Sequence, residues 1–228
     1  MRFVLALLAL FGAAFTLSLS ASAAQPDWQH HVVEAADGAY VIGNPNAKVK
    51  LVEYLSYTCP HCAAFSRESE KVLRGQMVKS GSTSIELRNM VRDQLDLDAA
   101  LLARCAGASG FDKLSTAFFA QQDTWFPAGV EWQQANAQRM AIYPRMARLK
   151  AAADGAGLTA IARVGGLSQA QIDACFASEA GMKPILAMMQ QIPPAITGTP
   201  GFLINGKLQD KVYTWAELEP ALRAAGAR

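Results

Sequence analysis

Histidine and cysteine are scarce in this sequence, which has three histidines and four cysteines among its 228 residues. A structural zinc site needs about four ligands, usually in two close pairs. Cys105 and Cys175, however, lie 70 positions apart (175 − 105). His30 and His31 are adjacent but stand near the N-terminus, where side chains are usually solvated. We therefore predict no metal and no cofactor.

A strong charge of either sign is also missing. Lysine and arginine total 21 against 19 acidic residues, which gives a formal net charge of +2. Proteins that bind nucleic acid usually carry a marked positive charge. We therefore predict no nucleic-acid partner.

Long apolar runs are missing except at the start of the chain. Arg2 is the only charge before an apolar run over 3–19, and the small residues ASA follow at 21–23. This pattern predicts a secretory signal peptide over 1–23 and a mature domain over 24–228 that is exported to the periplasm. A membrane anchor is the alternative, which the short, interrupted run disfavours. Export implies an oxidising compartment, where cysteines form disulfides.

The most informative motif is CPHC at 59–62. The segment before it, 49–55, is rich in β-branched and aliphatic residues, as in a mostly buried strand. After it, Phe65, Val72 and Leu73 fall on roughly one face of a helix. The motif therefore lies where a strand ends and a helix begins.

This position affects the chemistry of the sulfurs. Two cysteines three apart in a first helical turn lie close enough to form a disulfide. Free N–H groups and the helix dipole favour the thiolate of Cys59, which is the nucleophilic form. His61 adds a cation or an N–H donor, and Pro60 is well tolerated in a first turn. Since a stabilised thiolate favours the reduced form, the disulfide is predicted to be oxidising. A purely structural disulfide remains the alternative.

The remaining pattern predicts an α/β fold with an inserted helical subdomain. Strands are predicted at 40–42, 48–55, 82–91, 201–204 and 207–209, the last two joined by an Asn-Gly turn. The CPHC helix is expected to run to about Val78. The stretch from about 92 to 197 is rich in helix formers and too long for a single crossover helix.

Within the insert, helices are predicted at 98–108, 110–122, 130–142, 145–154, 158–164, 168–178 and 180–190. Pro144 should interrupt this stretch, and Ser168 should open a helix through a capping box with Gln171. A second capping box begins the last helix at Thr214. The polar segment 25–38 is expected to be loosely held.

The order of these features resembles the DsbA-type thiol–disulfide oxidoreductases, which have a thioredoxin-like fold. The resemblance covers nearly all of the predicted mature chain and is most specific over 49–65 and 197–207. It implies that Cys59 is an exposed nucleophile and that Cys62 is its buried resolving partner. It also implies that His61 stabilises the thiolate.

The resemblance assigns three further site residues. Pro200 matches the cis-proline of the family, whose loop faces the disulfide and presents backbone groups to an extended substrate segment; an ordinary trans proline is the alternative. Glu53 matches an acidic residue beneath the disulfide that helps to move protons; a strand-edge glutamate that reaches solvent is the alternative. Thr199 is a departure, because the best-known enterobacterial oxidase has valine there and several periplasmic isomerases have threonine.

The other two cysteines have no CxxC partner. Cys105 and Cys175 each lie in an apolar helical context, which fits two buried thiols or a structural disulfide. Some relatives, notably from α-proteobacteria, carry a second bond in this region, so the resemblance favours the disulfide.

Together these features predict a periplasmic oxidoreductase that donates its Cys59–Cys62 disulfide to reduced, unfolded exported proteins. A quinone-linked membrane oxidase is the expected reoxidising partner, and we expect a monomer. A reductase or isomerase on the same fold is one alternative. A non-catalytic peptide-binding holdase is another, and it would keep its activity after Cys59→Ala.

Overall fold

Six strands form one mixed sheet in the computed structural model, which describes residues 26–228. The predicted signal peptide therefore lies outside the described residues. The strand order is β1-β2-β4-β3-β5-β6. In chain order the strands are β1 Val32–Glu34, β2 Tyr40–Gly43, β3 Val49–Leu55, β4 Thr83–Asn89, β5 Gly201–Ile204 and β6 Lys207–Leu208.

Strand β3 lies inside the sheet and leads to the CPHC motif. It pairs in parallel with β4 and antiparallel with β5. Leu51 and Leu55 are buried, as is the whole of the face that they share, and the opposite face passes from exposed Lys50 to buried Tyr54. This agrees with the apolar run that predicted a central strand.

The helices between β4 and β5 form the insert, and within the described range one further α-helix lies before it and one after it. The predicted α/β fold with an inserted helical subdomain is confirmed. The insert follows β4 and ends before β5. Trp125 is buried and anchors the start of the helix Gln122–Met140, which explains why this helix begins earlier than predicted despite Pro127 in its interior. The helices are α1 Pro60–Ser69, α2 Gln94–Cys105, α3 Gly107–Ala120, α4 Gln122–Met140, α5 Arg145–Gly155, α6 Leu158–Gly165, α7 Gln169–Cys175, α8 Met182–Gln190 and α9 Trp215–Ala225. Over residues 26–228, no helix is both long and apolar enough to cross a bilayer.

The helix after CPHC changes its geometry in the middle. Residues Glu70–Val78 are π-helical, whereas the sequence predicts one α-helix to about Val78. Both geometries use the same residue types and differ in the offset of their backbone hydrogen bonds, so the local pattern does not separate them. π-Helical turns are rare and are frequent at functional sites.

The prediction of a loosely held segment over 25–38 is wrong. Val32–Glu34 forms an edge strand that pairs antiparallel with β2. The Arg104 side chain, from α2, then fastens this edge by donating to Glu34 at 2.6 Å and to the Gly38 carbonyl at 2.5 Å. The segment is half exposed and held by non-local contacts, so it lacks the apolar pattern of a strand.

Cys105 and Cys175 are bonded in the structure, with their Cα atoms 6.0 Å apart. The bond joins the last residues of α2 and α7. It lies within the helical insert and links two helices that also pack on each other.

We predict that this bond is present in the protein purified under oxidising conditions and survives mild reduction that opens a Cys59–Cys62 disulfide. Non-reducing peptide mapping tests this, and free thiols at both positions would contradict it. The loop between the two cysteines spans 70 residues. Replacing both by alanine should therefore lower the free energy of unfolding by roughly 4 kcal/mol. Replacing Cys59 and Cys62 instead should leave the bond intact.

Candidate active site

The CPHC motif begins α1. Cys59 is the N-cap residue with an extended backbone, and Pro60 is the first residue of the helix. Cys62 is fully buried one turn later, while Pro60 and His61 are exposed. The free N–H groups of the first helical turn therefore lie next to the sulfur of Cys59.

The turn before Cys59 is held by a buried aspartate from the insert. Asp96 accepts hydrogen bonds from the Ser56 hydroxyl at 2.5 Å and the Tyr57 N–H at 2.7 Å. It also accepts one from the Arg92 N–H at 2.9 Å. Burial raises the pKa of Asp96 to about 7, although these hydrogen bonds lower it. Asp96 therefore ties the end of β3 to the first turn of α2.

Three further side chains from the insert hold the same turn. The Thr58 hydroxyl donates to Asp93 at 2.6 Å, and the Tyr57 hydroxyl donates to Ser115 at 3.0 Å. The Gln122 amide donates to the Tyr57 and Cys59 carbonyls at 2.7 and 3.0 Å. Sequence reasoning missed these residues because each lies at least 35 positions from its partner. Aspartates that alternate with leucines at 96 and 98 are the one signal in the sequence, and this signal does not distinguish Asp96 from Asp98.

The two thiols of the motif differ strongly in acidity. A hydrogen bond from the Cys62 side chain, aided by the Thr199 side chain and the N–H groups of Cys62 and His61, lowers the pKa of Cys59 from 9.0 to about 5. Burial opposes this shift. For Cys62, burial together with the neighbouring Cys59 raises the pKa well above 9.0. At neutral pH Cys59 is therefore the thiolate and Cys62 the proton donor.

The expectation of an exposed nucleophile is wrong for this conformation. Cys59 is only 3% exposed. The Thr199 carbonyl lies 3.1 Å from its sulfur and accepts a hydrogen bond when Cys59 is a thiol. The Thr199–Pro200 peptide bond is cis. This loop covers the sulfur from a part of the chain 140 positions away, so exposure could not be read from the motif.

His61 contributes through its backbone in this structure. Its N–H is one of the groups that lower the pKa of Cys59. The imidazole is exposed and makes no hydrogen bond to another residue of the range 26–228. Stabilisation of the thiolate by the imidazole stays a prediction.

Glu53 is buried in the middle of β3. It lies between Leu87 of β4 and Phe202 of β5, and it is not at a sheet edge. Burial raises the pKa of Glu53 to about 7, while the positive charge of Arg74 lowers it. The charge of Glu53 in turn contributes to the raised pKa of Cys62. A carboxyl with a pKa near neutrality whose charge acts on a high-pKa thiol is suited to exchange protons with it.

Arg74 is the counter-charge that sequence reasoning missed. It comes from the π-helix and forms ion pairs with Asp112 at 2.5 Å and Glu70 at 3.4 Å. Arg74 and Glu53 both line a cavity of about 10 Å³, which is room for about one water molecule. Arg74 therefore keeps a positive charge near Glu53 inside the protein.

No group of three or more histidine, cysteine or acidic side chains within the described residues has the geometry of a metal site. His30, one of the two terminal histidines, instead contacts Asp27 at 2.9 Å. The chemistry that the site can perform is thiol–disulfide exchange, since it holds one stabilised thiolate beside one buried thiol.

We expect Cys59 to react with iodoacetamide in the reduced protein with a rate that rises through about pH 5, because the thiolate forms there. Burial of the sulfur should lower the plateau rate, because the reagent has little access to Cys59. Mass mapping identifies the labelled residue.

The control is Cys62→Ala, which removes the main hydrogen-bond donor and should move the midpoint upward. Preferential labelling of Cys62, or a midpoint near 9.0 for Cys59, would contradict the assignment.

The comparisons with known sequences agree with this geometry. The family model described as Thioredoxin matches residues 35–224. A protein from Rickettsia typhi is 29% identical over 188 residues, covering 81% of this chain and 61% of that protein. One from Rickettsia conorii is 29% identical over 173 residues, covering 75% of this chain and 54% of that protein. Both are provisionally named protein-disulfide oxidoreductases, and this chain spans 54% to 61% of their lengths.

Two solved structures have the same architecture. One, described as a protein-disulfide isomerase from Novosphingobium aromaticivorans, aligns with a TM-score of 0.76 and 36% identity over 83% of this chain and 98% of its own. The other, alpha-DsbA1 from Wolbachia pipientis, aligns with a TM-score of 0.63 and 20% identity over 82% of this chain and 90% of its own. With a family model matched from Ala35 to Ala224, this chain belongs to the thioredoxin family and has the DsbA-type fold with its helical insert.

Proposed function

We propose that this protein is an exported thiol:disulfide oxidoreductase that donates its Cys59–Cys62 disulfide to reduced proteins in the periplasm. The observation that carries the proposal is the opposite acidity of the two thiols, with the pKa of Cys59 at about 5 and that of Cys62 raised well above 9.0. A low-pKa thiolate favours the reduced form, so the disulfide is a ready oxidant. The signal-peptide pattern over 1–23 supports export.

The proposed reaction has two exchange steps. A substrate thiolate attacks the sulfur of Cys59, the Cys59–Cys62 bond breaks, and its electron pair stays on Cys62. A second substrate thiolate then attacks the substrate sulfur of the mixed disulfide. Cys59 leaves as a thiolate, which its low pKa favours. The substrate loses two electrons and the protein gains them.

Glu53 has a specific part in the first step. Cys62 is a poor leaving group because its pKa is high, so a proton must reach it as the bond breaks. Protonated Glu53 supplies that proton, and its pKa of about 7 leaves it partly protonated at neutral pH.

The loop of Thr199 and Pro200 is the proposed substrate contact. It already lies against the sulfur of Cys59, and the backbone of an extended peptide can pair with such a strand-like edge. Reduced, unfolded exported proteins are the proposed substrates. Regeneration of the disulfide requires an external oxidant, for which we propose a quinone-linked membrane oxidase. We also propose that the protein acts as a monomer.

A reductase or isomerase is the second candidate. It is supported by the relative from Novosphingobium aromaticivorans, which is described as an isomerase. Thr199 also points this way, because several periplasmic isomerases of the family that the sequence resembles have threonine before the cis-proline. The reduction potential of the Cys59–Cys62 pair against glutathione separates the two candidates.

For an oxidase, we expect the reduced protein to unfold at a higher temperature than the oxidised one at pH 7. The folded pKa of Cys59 is about 5 and its unfolded value about 9.0. The thiolate therefore stabilises the reduced form fully above pH 9, and this stabilisation is lost as the pH falls through 5. Thermal unfolding of both forms across this range measures the difference.

The matched control is the Cys59→Ala, Cys62→Ala variant, whose unfolding temperature should not respond to a reductant that leaves Cys105–Cys175 intact. An oxidised form that unfolds at the higher temperature throughout would contradict the oxidase and favour the reductase or isomerase.

Glu53→Gln tests the proton donor. Its rate of oxidising a reduced peptide should fall on the order of a hundredfold. The pH dependence with a midpoint at about 7 should disappear with it. Glu70→Gln is the control, because Glu70 contacts the same Arg74 without carrying the proposed proton. Stopped-flow fluorescence of the single exchange step gives the rate, and an unchanged pH profile in Glu53→Gln would refute the role.

A further inference from the structure

A groove lies beside the active site between the start of α2, the second half of α4 and α5. It consists of two adjoining hollows of about 290 and 340 Å³. Gln94 and Arg148 line both hollows, so they form one surface. We call it the arginine groove after the cations that line it, which are Arg92, Arg145 and Arg148.

The charge of the groove is positive and mostly uncompensated. Arg92 and Arg148 form no ion pair with any residue of the described range, and Arg145 has only Glu179 at 4.0 Å. That pair is exposed on both sides and therefore weak. The one acid in the groove, Asp93, already accepts from Thr58 and from the Asp96 N–H.

The far end of the groove is apolar. Trp132 and Met140 line it, and the indole lies against α5 so closely that a Cβ atom at Gly155 would come within 2.3 Å of it. The indole is therefore fixed in place. Beyond it, Ile142 is 86% exposed and Tyr143 is 46% exposed. A ligand that fits this end has a large apolar side chain.

The groove is connected to the active site at its near end. Asp93 accepts the hydrogen bond of Thr58, the residue before Cys59. Gln122 is the first residue of α4 and donates to the Cys59 carbonyl, and the second half of this 19-residue helix lines the groove. The whole helix is roughly 28 Å long, which an extended peptide covers with about eight residues.

We infer that the arginine groove binds an extended acidic segment of the substrate protein, with carboxylates on the arginines and an apolar side chain against Trp132. This deepens the proposed function, on which it rests. Guanidinium groups bind carboxylates through paired hydrogen bonds, and Arg92, Arg145 and Arg148 offer three such groups to one ligand. The protein would therefore prefer substrates with acidic residues within about eight positions of the reacting cysteine.

Binding is measured apart from the redox step. The probe is a fluorescein-labelled, cysteine-free peptide with aspartates and one phenylalanine, and its partner has asparagine at each aspartate. Anisotropy is recorded with the full mature chain at low ionic strength. Arg148→Glu should weaken binding of the acidic peptide about tenfold or more. The asparagine peptide should bind weakly and equally to both proteins.

Arg163→Glu is the matched control, since Arg163 is exposed on α6 and its reversal changes the net charge equally. Its affinity should stay within about twofold of the unchanged protein. Equal binding of the two peptides, or equal losses in both variants, would overturn the inference. Sedimentation tests two other occupants of the groove. If the protein binds vesicles or a second copy of itself through the groove and does not bind the acidic peptide, the inference is also overturned.

A kinetic arm links the groove to the proposed function. Arg148→Glu should lower the oxidation rate of a cysteine-containing acidic peptide about tenfold and leave the oxidation of 2-mercaptoethanol, a small thiol without carboxylates, unchanged. If the reduction potential of Cys59–Cys62 shows a reductase instead, the anisotropy measurement still shows whether the groove binds the acidic peptide. Failure of the oxidase proposal can therefore be distinguished from failure of the groove inference. Equal slowing of the acidic peptide and of 2-mercaptoethanol would show an effect on the sulfurs and refute peptide docking.

Discussion

The hydrogen bonds that hold the turn between β3 and α1 are the constraint on which the rest of the site depends. Asp96, Ser115 and Gln122 all come from the helical insert and fix residues 56–59. The insert therefore does more than enlarge the thioredoxin-like core. It holds the turn between β3 and α1, and it thereby positions Cys59 at the N-terminus of α1, where helix N–H groups stabilise a thiolate.

Burial gives this site its chemical asymmetry. In water, the two cysteines would have similar acidity and Glu53 would be ionised at neutral pH. Inside the protein, the hydrogen bond from Cys62 stabilises the Cys59 thiolate, while burial keeps Cys62 protonated and brings the pKa of Glu53 to about 7. The positive charge of Arg74 lowers the pKa of Glu53 and so opposes the effect of burial. These shifts suit the roles that we propose for Glu53 as proton carrier, Cys59 as nucleophile and Cys62 as poor leaving group.

Two surfaces then border the nucleophile. The Thr199–Pro200 loop covers the sulfur directly, and the arginine groove begins at Asp93, which contacts the residue before Cys59. In the function that we propose, a small thiol needs only the first surface, whereas a protein substrate uses both. Under that proposal, selectivity among substrates arises beside the reacting sulfurs, and the reduction potential of the pair arises at the sulfurs themselves.

Local patterns determined much of this protein. The apolar run before CPHC, the amphipathic residues after it and the capping boxes at Ser168 and Thr214 predicted their elements, because helix and strand signals act over a few residues. The two boxes are both formed in the structure. The edge strand Val32–Glu34 was missed because its partners are distant.

The sequence by itself determined the strand, the cysteine pair, the following helix and the helical insert, since these follow from periodicity, spacing and composition. Only the tertiary structure decided that Cys59 is covered, that Glu53 faces Arg74, that Asp96 holds the turn and that three arginines share one groove. Those features depend on burial and on contacts between residues far apart in the chain. Desolvation and charge act through space, so the order of residues alone does not reveal their strength.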